Sequence, residues 1–180
     1  MRYRRARISG GTYFFTVVTH ARAKLLTASG HIEVLREAFA YGMRNYPFQI
    51  DAIVVLPDHL HCIWTLPEND HNYATRWRLI KGYFTRKAAP DQKPLADGSR
   101  RRKREKAIWQ RRFWEHLIRD PEDFKKHVDY IHYNPVKHGY VGTPGDWQHS
   151  SFHKYVREGK LDPAWGRGPE LSMDEMVGRE

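Results

Sequence analysis

The sequence predicts an α+β protein, with helices packed on an antiparallel sheet of ferredoxin-like type and a C-terminal tail. Three observations predict it. Strand-like apolar runs alternate with segments of 3.6-residue periodicity in the order strand, helix, strand, strand, helix, strand, helix. The second and third strands are separated by nothing more than a Pro-Asp turn, which makes them a hairpin. A chain of 180 residues that is 40% hydrophobic can bury one real core.

The elements follow in order. Arg2, Arg4, Arg5 and Arg7 make residues 1–10 a basic arm. Thr12 to Thr19 reads TYFFTVVT, a β-branched and aromatic run opened by Gly10-Gly11, as a buried strand would. Ser29 is placed to cap a first helix, in which Ile32, Leu35, Ala38 and Phe39 recur at helical spacing until the break at Asn45 to Pro47. Phe48 to Leu56 and His59 to Leu66 are the hairpin strands around Pro57-Asp58. Tyr73 to Ala89 is a basic amphipathic helix, with Trp77, Ile80 and Phe84 inward and Arg76, Arg78, Lys81, Arg86 and Lys87 on other faces. Residues 90–106 carry Pro94, Gly98 and the run RRKREK with little that is apolar, and read as a mobile basic loop. A strand resumes within Ala107 to Ile118. Asp120 caps the last long helix, with Pro121 at its first position and Glu122 and Asp123 in its first turn, and that helix should end near Asn134-Pro135. Residues 11–140 thus form the main domain, and residues 141–180 a tail pinned to it by Trp147, Phe152 and Tyr155.

The formal net charge of +10 and a pI near 9.8 point to a polyanionic partner. The single cysteine, Cys62, allows neither an intrachain disulfide nor a thiolate metal site, and the expectation is a reducing, cytoplasmic location. No stretch approaches the roughly 18 apolar residues of a membrane span, and no signal-like apolar segment follows the basic arm.

Two residues apart on a strand, His59 and His61 present two imidazoles to one face while Leu60 and Cys62 face the other way. They are candidate metal ligands; two histidines satisfied by backbone or water fit the pattern as well. On the last long helix, Phe124, Val128 and Ile131 define a buried stripe. Tyr130 and Asn134 then lie about 40° apart on one flank, with His127 beside them, whereas Tyr133 falls about 180° from the stripe and should look into solvent. A metal-polarised phosphodiester could be attacked by Tyr130 to give a phosphotyrosyl link that retains the energy for rejoining. Tyrosine, with an ordinary pKa near 10, needs help to do this, and His127 and Glu115 are the candidate helpers. The residues leave three readings open: a tyrosine-dependent strand transferase, a metal-dependent phosphodiesterase that uses water, and a non-catalytic nucleic-acid-binding module.

The segments VVLPDHLHCIWTLP, FWEHLIRDPEDFKKHVDYIHYNPVKHG and DWQHSSFHKYVREG resemble the IS200-like Y1 transposases of the HUH endonuclease superfamily, and within them the REP-associated tyrosine transposases. The resemblance covers most of residues 10–159. It implies that His59 and His61 are the HUH pair, Tyr130 the nucleophile and Asn134 the third ligand, a position where related enzymes often carry glutamine. It further implies Mg²⁺ or Mn²⁺, a ferredoxin-like fold, a monomer with a dimer as the alternative, and single-stranded substrates that form REP-type hairpins. Candidate DNA contacts are Arg4, Arg5, Arg7, Arg111, Arg112 and Lys137, with Trp77, Tyr83, Trp109, Phe113 and Trp114 as base-stacking candidates that fit the core as well.

Overall fold

The computed structural model describes residues 7–88 and 108–168. Strands β1 (Thr12–Val18), β2 (Gln49–Val55), β3 (His59–Thr65) and β4 (Trp114–Leu117) form one sheet in the order β2-β3-β1-β4, and every neighbouring pair is antiparallel. Helix α1 (His31–Asn45) links β1 to β2, and α2 (Tyr73–Ala88) follows β3. Helix α3 (Pro121–Lys137) follows β4, and the short α4 (Phe152–Arg157) lies near the C-terminus. This is the ferredoxin-like α+β arrangement that the element order predicts.

The sheet has two unlike faces because side chains alternate along each strand. Tyr13, Phe15 and Val17 of β1 and Leu60, Cys62 and Trp64 of β3 pack with α1 and α2, where Trp64 stacks on Trp77 with ring centroids 4.2 Å apart. The intervening residues Phe14 and Ile63, with Ala52 and Val54 of β2, pack on Val128 and Ile131 of α3. Burying each large apolar side chain in these layers contributes about 1.5–3 kcal/mol.

Several local expectations change. The residue preceding α1 is Gly30, in the left-handed region at φ 76°, with no side-chain cap. Ser29 lies inside the turn closed by His31 N–H on the Ala28 carbonyl, one residue too early to cap. The ladder begun by Trp109 and Gln110 beside Thr19 and Val18 is interrupted before β4, so that strand is shorter than expected. Asp120 caps α3 as expected, its carboxylate accepting from Asp123 N–H at 2.8 Å. The helix does not stop at Asn134-Pro135, however. It runs to Lys137 and closes at Gly139, φ 69°, with Gly139 N–H on the Val136 carbonyl and Tyr140 N–H on the Pro135 carbonyl, both 2.9 Å. One proline removes one helical hydrogen bond, and this paired closure satisfies the last carbonyls. Tyr133 is buried rather than solvent-facing, because the chain returns to place Trp165 against it at right angles, 6.4 Å between centroids.

The segment after α3 also covers the edge of β2. Val55 N–H bonds the His149 carbonyl at 2.9 Å, Ser151 N–H the Ile53 carbonyl at 2.8 Å, and Trp147 Nε1–H the Val55 carbonyl at 3.0 Å. Tyr155 donates to the Asp51 carbonyl at 3.0 Å, and Phe152 is buried. The loop expected at 90–106 lies outside the described residues, as do Arg4, Arg5 and the first residue of the expected 107–118 strand.

Arg76 departs furthest from its expected outward place. It is fully buried, paired with Asp70 at 2.8 Å, and donates to the carbonyls of Tyr46, Pro47 and Asn72. These bonds tie the end of α1 to the start of α2. The hydrogen bond from Arg76 holds the Asp70 carboxyl below its ordinary value. Arg76→Leu should therefore cost about 1–3 kcal/mol in chemical denaturation, since it removes four hydrogen bonds, one of them to a carboxylate. A depressed carboxylate adds stability above its unfolded pKa, and that stability is lost as pH falls through the depressed folded value. The acid limb of wild-type stability should thus flatten in the variant.

Candidate active site

The α3 face of the sheet is where polar residues enter the core. Thr16 lies opposite His61, and Val18 opposite His59. His59, His61, Tyr130 and Asn134 are all at most 1% exposed. The His59 and His61 rings meet edge to face at 4.9 Å between centroids, and Tyr130 stands edge-on to His61 at 5.2 Å. Asn134 is one helical turn beyond Tyr130 on the same buried side of α3. Phe14 underlies the group, stacked on His61 at 5.4 Å and edge-on to Tyr130 at 6.0 Å.

Each histidine is oriented through its Nδ1. His59 Nδ1 is 2.7 Å from Asp58 Oδ1, and His61 Nδ1 is 2.9 Å from Thr16 Oγ1. A proton donated from Nδ1 to these oxygens leaves the lone pair on Nε2, the arrangement in which a histidine ligates a metal with a carboxylate behind it. Burial alone would raise the Asp58 carboxyl. The hydrogen bonds from His59 and Arg22, with the Arg22 charge, outweigh burial and hold it below its ordinary value. Arg22 Nη1 donates to Asp58 Oδ2 at 3.2 Å, and Thr19 binds the Asp58 carbonyl through both N–H and Oγ1. Arg22, which carries that guanidinium, and its neighbour Ala21 both have φ 52°, a left-handed conformation that costs non-glycine residues roughly 1 kcal/mol or more each.

Two neutral imidazoles and an amide oxygen suit a divalent ion better than two histidines without a hard donor would. A second group of ligand types stands at the β4–α3 junction, where donor atoms of His116, Asp123 and His127 lie within 4.8 Å of one another and could hold a cation. There Asp123 also takes Arg119 N–H at 3.0 Å and His116 Nε2 at 2.8 Å, while His127 Nδ1–H donates to the Asp123 carbonyl at 2.8 Å. Burial pushes the His127 imidazole below its ordinary value, so it is neutral near neutral pH.

The other sequence candidates are scattered. Glu115 is paired with Phe15 across β1 and β4, so it shares the α1/α2 face and lies across the sheet from Tyr130. The strand alternation in WEHL would have excluded it as a helper had the register been known. Arg111 and Arg112 are exposed just before β4, Arg7 is exposed at the start of the described chain, and Trp77 and Trp109 are buried. Lys137 reaches Tyr130, with Nζ 3.3 Å from the phenolic oxygen and 4.8 Å from the ring centroid. Sequence reasoning missed Asp58, Thr16 and Arg22. Asp58 was discoverable as the carboxylate next to a candidate ligand, whereas Thr16 and Arg22 depend on register and loop path.

Residues 7–134 match the family model described as transposase IS200 like. A putative REP-associated tyrosine transposase of Haemophilus influenzae is 47% identical over 95% of this chain and 96% of its own. A REP-associated tyrosine transposase of Escherichia coli K12 is 46% identical over 97% of both chains. Among solved structures, a REP-associated tyrosine transposase bound to a REP hairpin superposes with a TM-score of 0.78 at 43% identity, covering 99% of each chain. The family and the clustered ligand residues together suggest a divalent metal. No helix among the described residues is long and apolar enough to cross a membrane. With a tyrosine on α3 set against a histidine pair on β3, and with relatives of this identity over nearly its whole length, the chain belongs to the IS200-like transposase family, in its REP-associated tyrosine transposase branch, and is a transposase.

Proposed function

We propose that this transposase cuts and rejoins single-stranded DNA at REP-type hairpins through a covalent bond between Tyr130 and a 5′ phosphate. His59 and His61, with Asn134 as third ligand, would hold Mg²⁺ or Mn²⁺. The observation that carries this reading is the buried, edge-on contact of Tyr130 with His61, whose partner His59 is backed by a carboxylate. The solved relative bound to a REP hairpin, at 43% identity, supports the substrate.

When bound, the ion would polarise the scissile phosphate and neutralise charge developing in the transition state. The residues of the chain do the rest. Asp58 and Thr16 fix the two imidazoles, and the sheet holds them before α3 presents the nucleophile. Tyr130 Oη attacks phosphorus, the P–O3′ bond breaks, and the electron pair leaves with the 3′ oxygen, which takes up a proton. The phosphotyrosyl bond is itself a phosphodiester, so a 3′ hydroxyl can reverse the step without a nucleotide cofactor. Arg7, Arg111 and Arg112, with Arg4 and Arg5 of the N-terminal arm, would contact the DNA backbone, which makes binding salt-dependent.

The decisive experiment incubates the protein with a 3′-labelled single-stranded hairpin oligonucleotide and Mn²⁺. A denaturant-resistant protein–DNA adduct should form, and Tyr130→Phe should lower its yield and cleavage by roughly 10³-fold or more. Cleavage by Tyr130→Phe at near wild-type rate would mean that water is the nucleophile. EDTA should abolish adduct formation, as should His59→Ala combined with His61→Ala; activity that survives both treatments removes the metal from the mechanism.

Asp58→Ala should weaken Mn²⁺ binding about 10- to 100-fold in a calorimetric titration, the usual effect of losing a ligand's carboxylate partner. Unchanged affinity would show that Asp58 serves the turn alone.

A further inference from the structure

We propose that Lys137 is a catalytic residue whose ammonium holds the phenolic oxygen of Tyr130 before attack and the phosphate on that oxygen afterwards. The inference deepens the proposed function and rests on Tyr130 being the nucleophile. Lys137 Nζ donates to Tyr130 Oη at 3.3 Å and lies 4.8 Å from the ring centroid, so it engages the tyrosine through both oxygen and π face.

The placement comes from the continuation of α3 through Pro135. Seven helical residues turn through nearly two full circles, which brings positions 130 and 137 to within about 20° of the same face. Had the helix ended at Asn134, the chain would diverge before Lys137 and the ammonium would not share that flank. The closure at Gly139 fixes the last turn, since Gly139 and Tyr140 N–H groups take the Val136 and Pro135 carbonyls. Lys137 is solvent-exposed at the residue level, while Tyr130 is buried. The ammonium therefore sits between the buried nucleophile and the side from which a DNA strand can approach.

The helpers suggested by sequence are placed differently. Glu115 is on the opposite face of the sheet. His127 gives its Nδ1–H to the Asp123 carbonyl and stacks on His116 at 4.6 Å.

An ammonium cannot accept the phenolic proton while it is itself protonated, so its part is electrostatic. Donating to one lone pair of Oη, it turns the hydroxyl hydrogen away and leaves a second lone pair for phosphorus. As the Oη–P bond forms and the P–O3′ bond breaks, the phenolic proton passes to water and the 3′ oxygen gains a proton. The ammonium is left facing a phosphodiester anion. In the rejoining step the same charge stabilises Tyr130 oxygen as the leaving group.

The test uses the full chain with Mn²⁺ and the 3′-labelled hairpin oligonucleotide, comparing wild type, Lys137→Ala, Lys137→Arg and Tyr130→Phe. Two quantities are read: the single-turnover rate of adduct formation at saturating DNA, and hairpin affinity across salt concentrations in EDTA. Lys137→Ala should slow the saturated rate about 10- to 100-fold, the loss expected for one charge-assisted hydrogen bond. Lys137→Arg should recover most of the rate, and propylammonium should partly rescue Lys137→Ala where tetramethylammonium at equal ionic strength does not. An unchanged saturated rate, with weaker binding and a salt slope reduced by about 1, would make Lys137 a backbone contact only and overturn the proposal. So would a slow alanine variant that neither arginine nor propylammonium restores, because that is loss of packing. An adduct that persists in Tyr130→Phe overturns the nucleophile assignment, and the lysine's role with it, whatever the Lys137 variants do.

Discussion

The seating of α3 on the sheet sets the terms for everything else in this molecule. One face of the sheet is closed by α1 and α2 over mainly apolar and aromatic side chains, with the buried arginine that ties the two helices together and Glu115 of β4 as charged residues on that side. The other face carries Thr16, His59 and His61 among Phe14 and Ile63, and α3 covers it with Val128 and Ile131 on one side and Tyr130 and Asn134 on the other. Polar groups taken out of water need partners. Thr16 and Asp58 supply them for the histidine Nδ1 atoms, and the Asp58 carboxylate, which accepts only, draws the His59 proton to Nδ1. Apolar burial thus holds α3 in place, and the polar remainder of the same contact becomes the site.

The chain beyond α3 works from a different requirement. An edge strand with unsatisfied N–H and C=O groups invites pairing with another molecule. On β2 those groups are taken up by His149, Ser151, Trp147 and Tyr155 from the C-terminal segment, which also brings Trp165 over Tyr133. Sheet, α3 and this segment consequently share one packed unit: β2 touches the segment at its edge and α3 on its face.

The fold was legible because its signals are strong and local: a hairpin turn, alternating strands, and an aspartate-proline helix start. His59 and His61 were legible for the same reason, since two-residue alternation alone puts them on one face. The helical wheel placed Tyr130 and Asn134 on a common flank. What could not be read depends on long-range geometry. Tyr133 is buried by a turn about thirty residues later, Arg76 by carbonyls at the end of another helix, and Glu115 is assigned to a face by the register of β4 on β1. Pro135 is the instructive error. A proline weakens a helix by one hydrogen bond and one steric clash, but within the last turn the chain can absorb both, and a glycine four residues later closes the helix in a form that a local rule does not anticipate.

The left-handed pair Ala21-Arg22 bears on how this protein can evolve. Its backbone is strained, and glycine in place of Ala21 would relieve that strain while leaving the Arg22 side chain in place. The same relief would widen the conformations open to the loop and loosen the guanidinium on Asp58, and through Asp58 the ring of His59. A substitution that backbone strain alone would favour here is therefore one that selection for function would remove, and the loop marks a position where the two pressures on the sequence diverge.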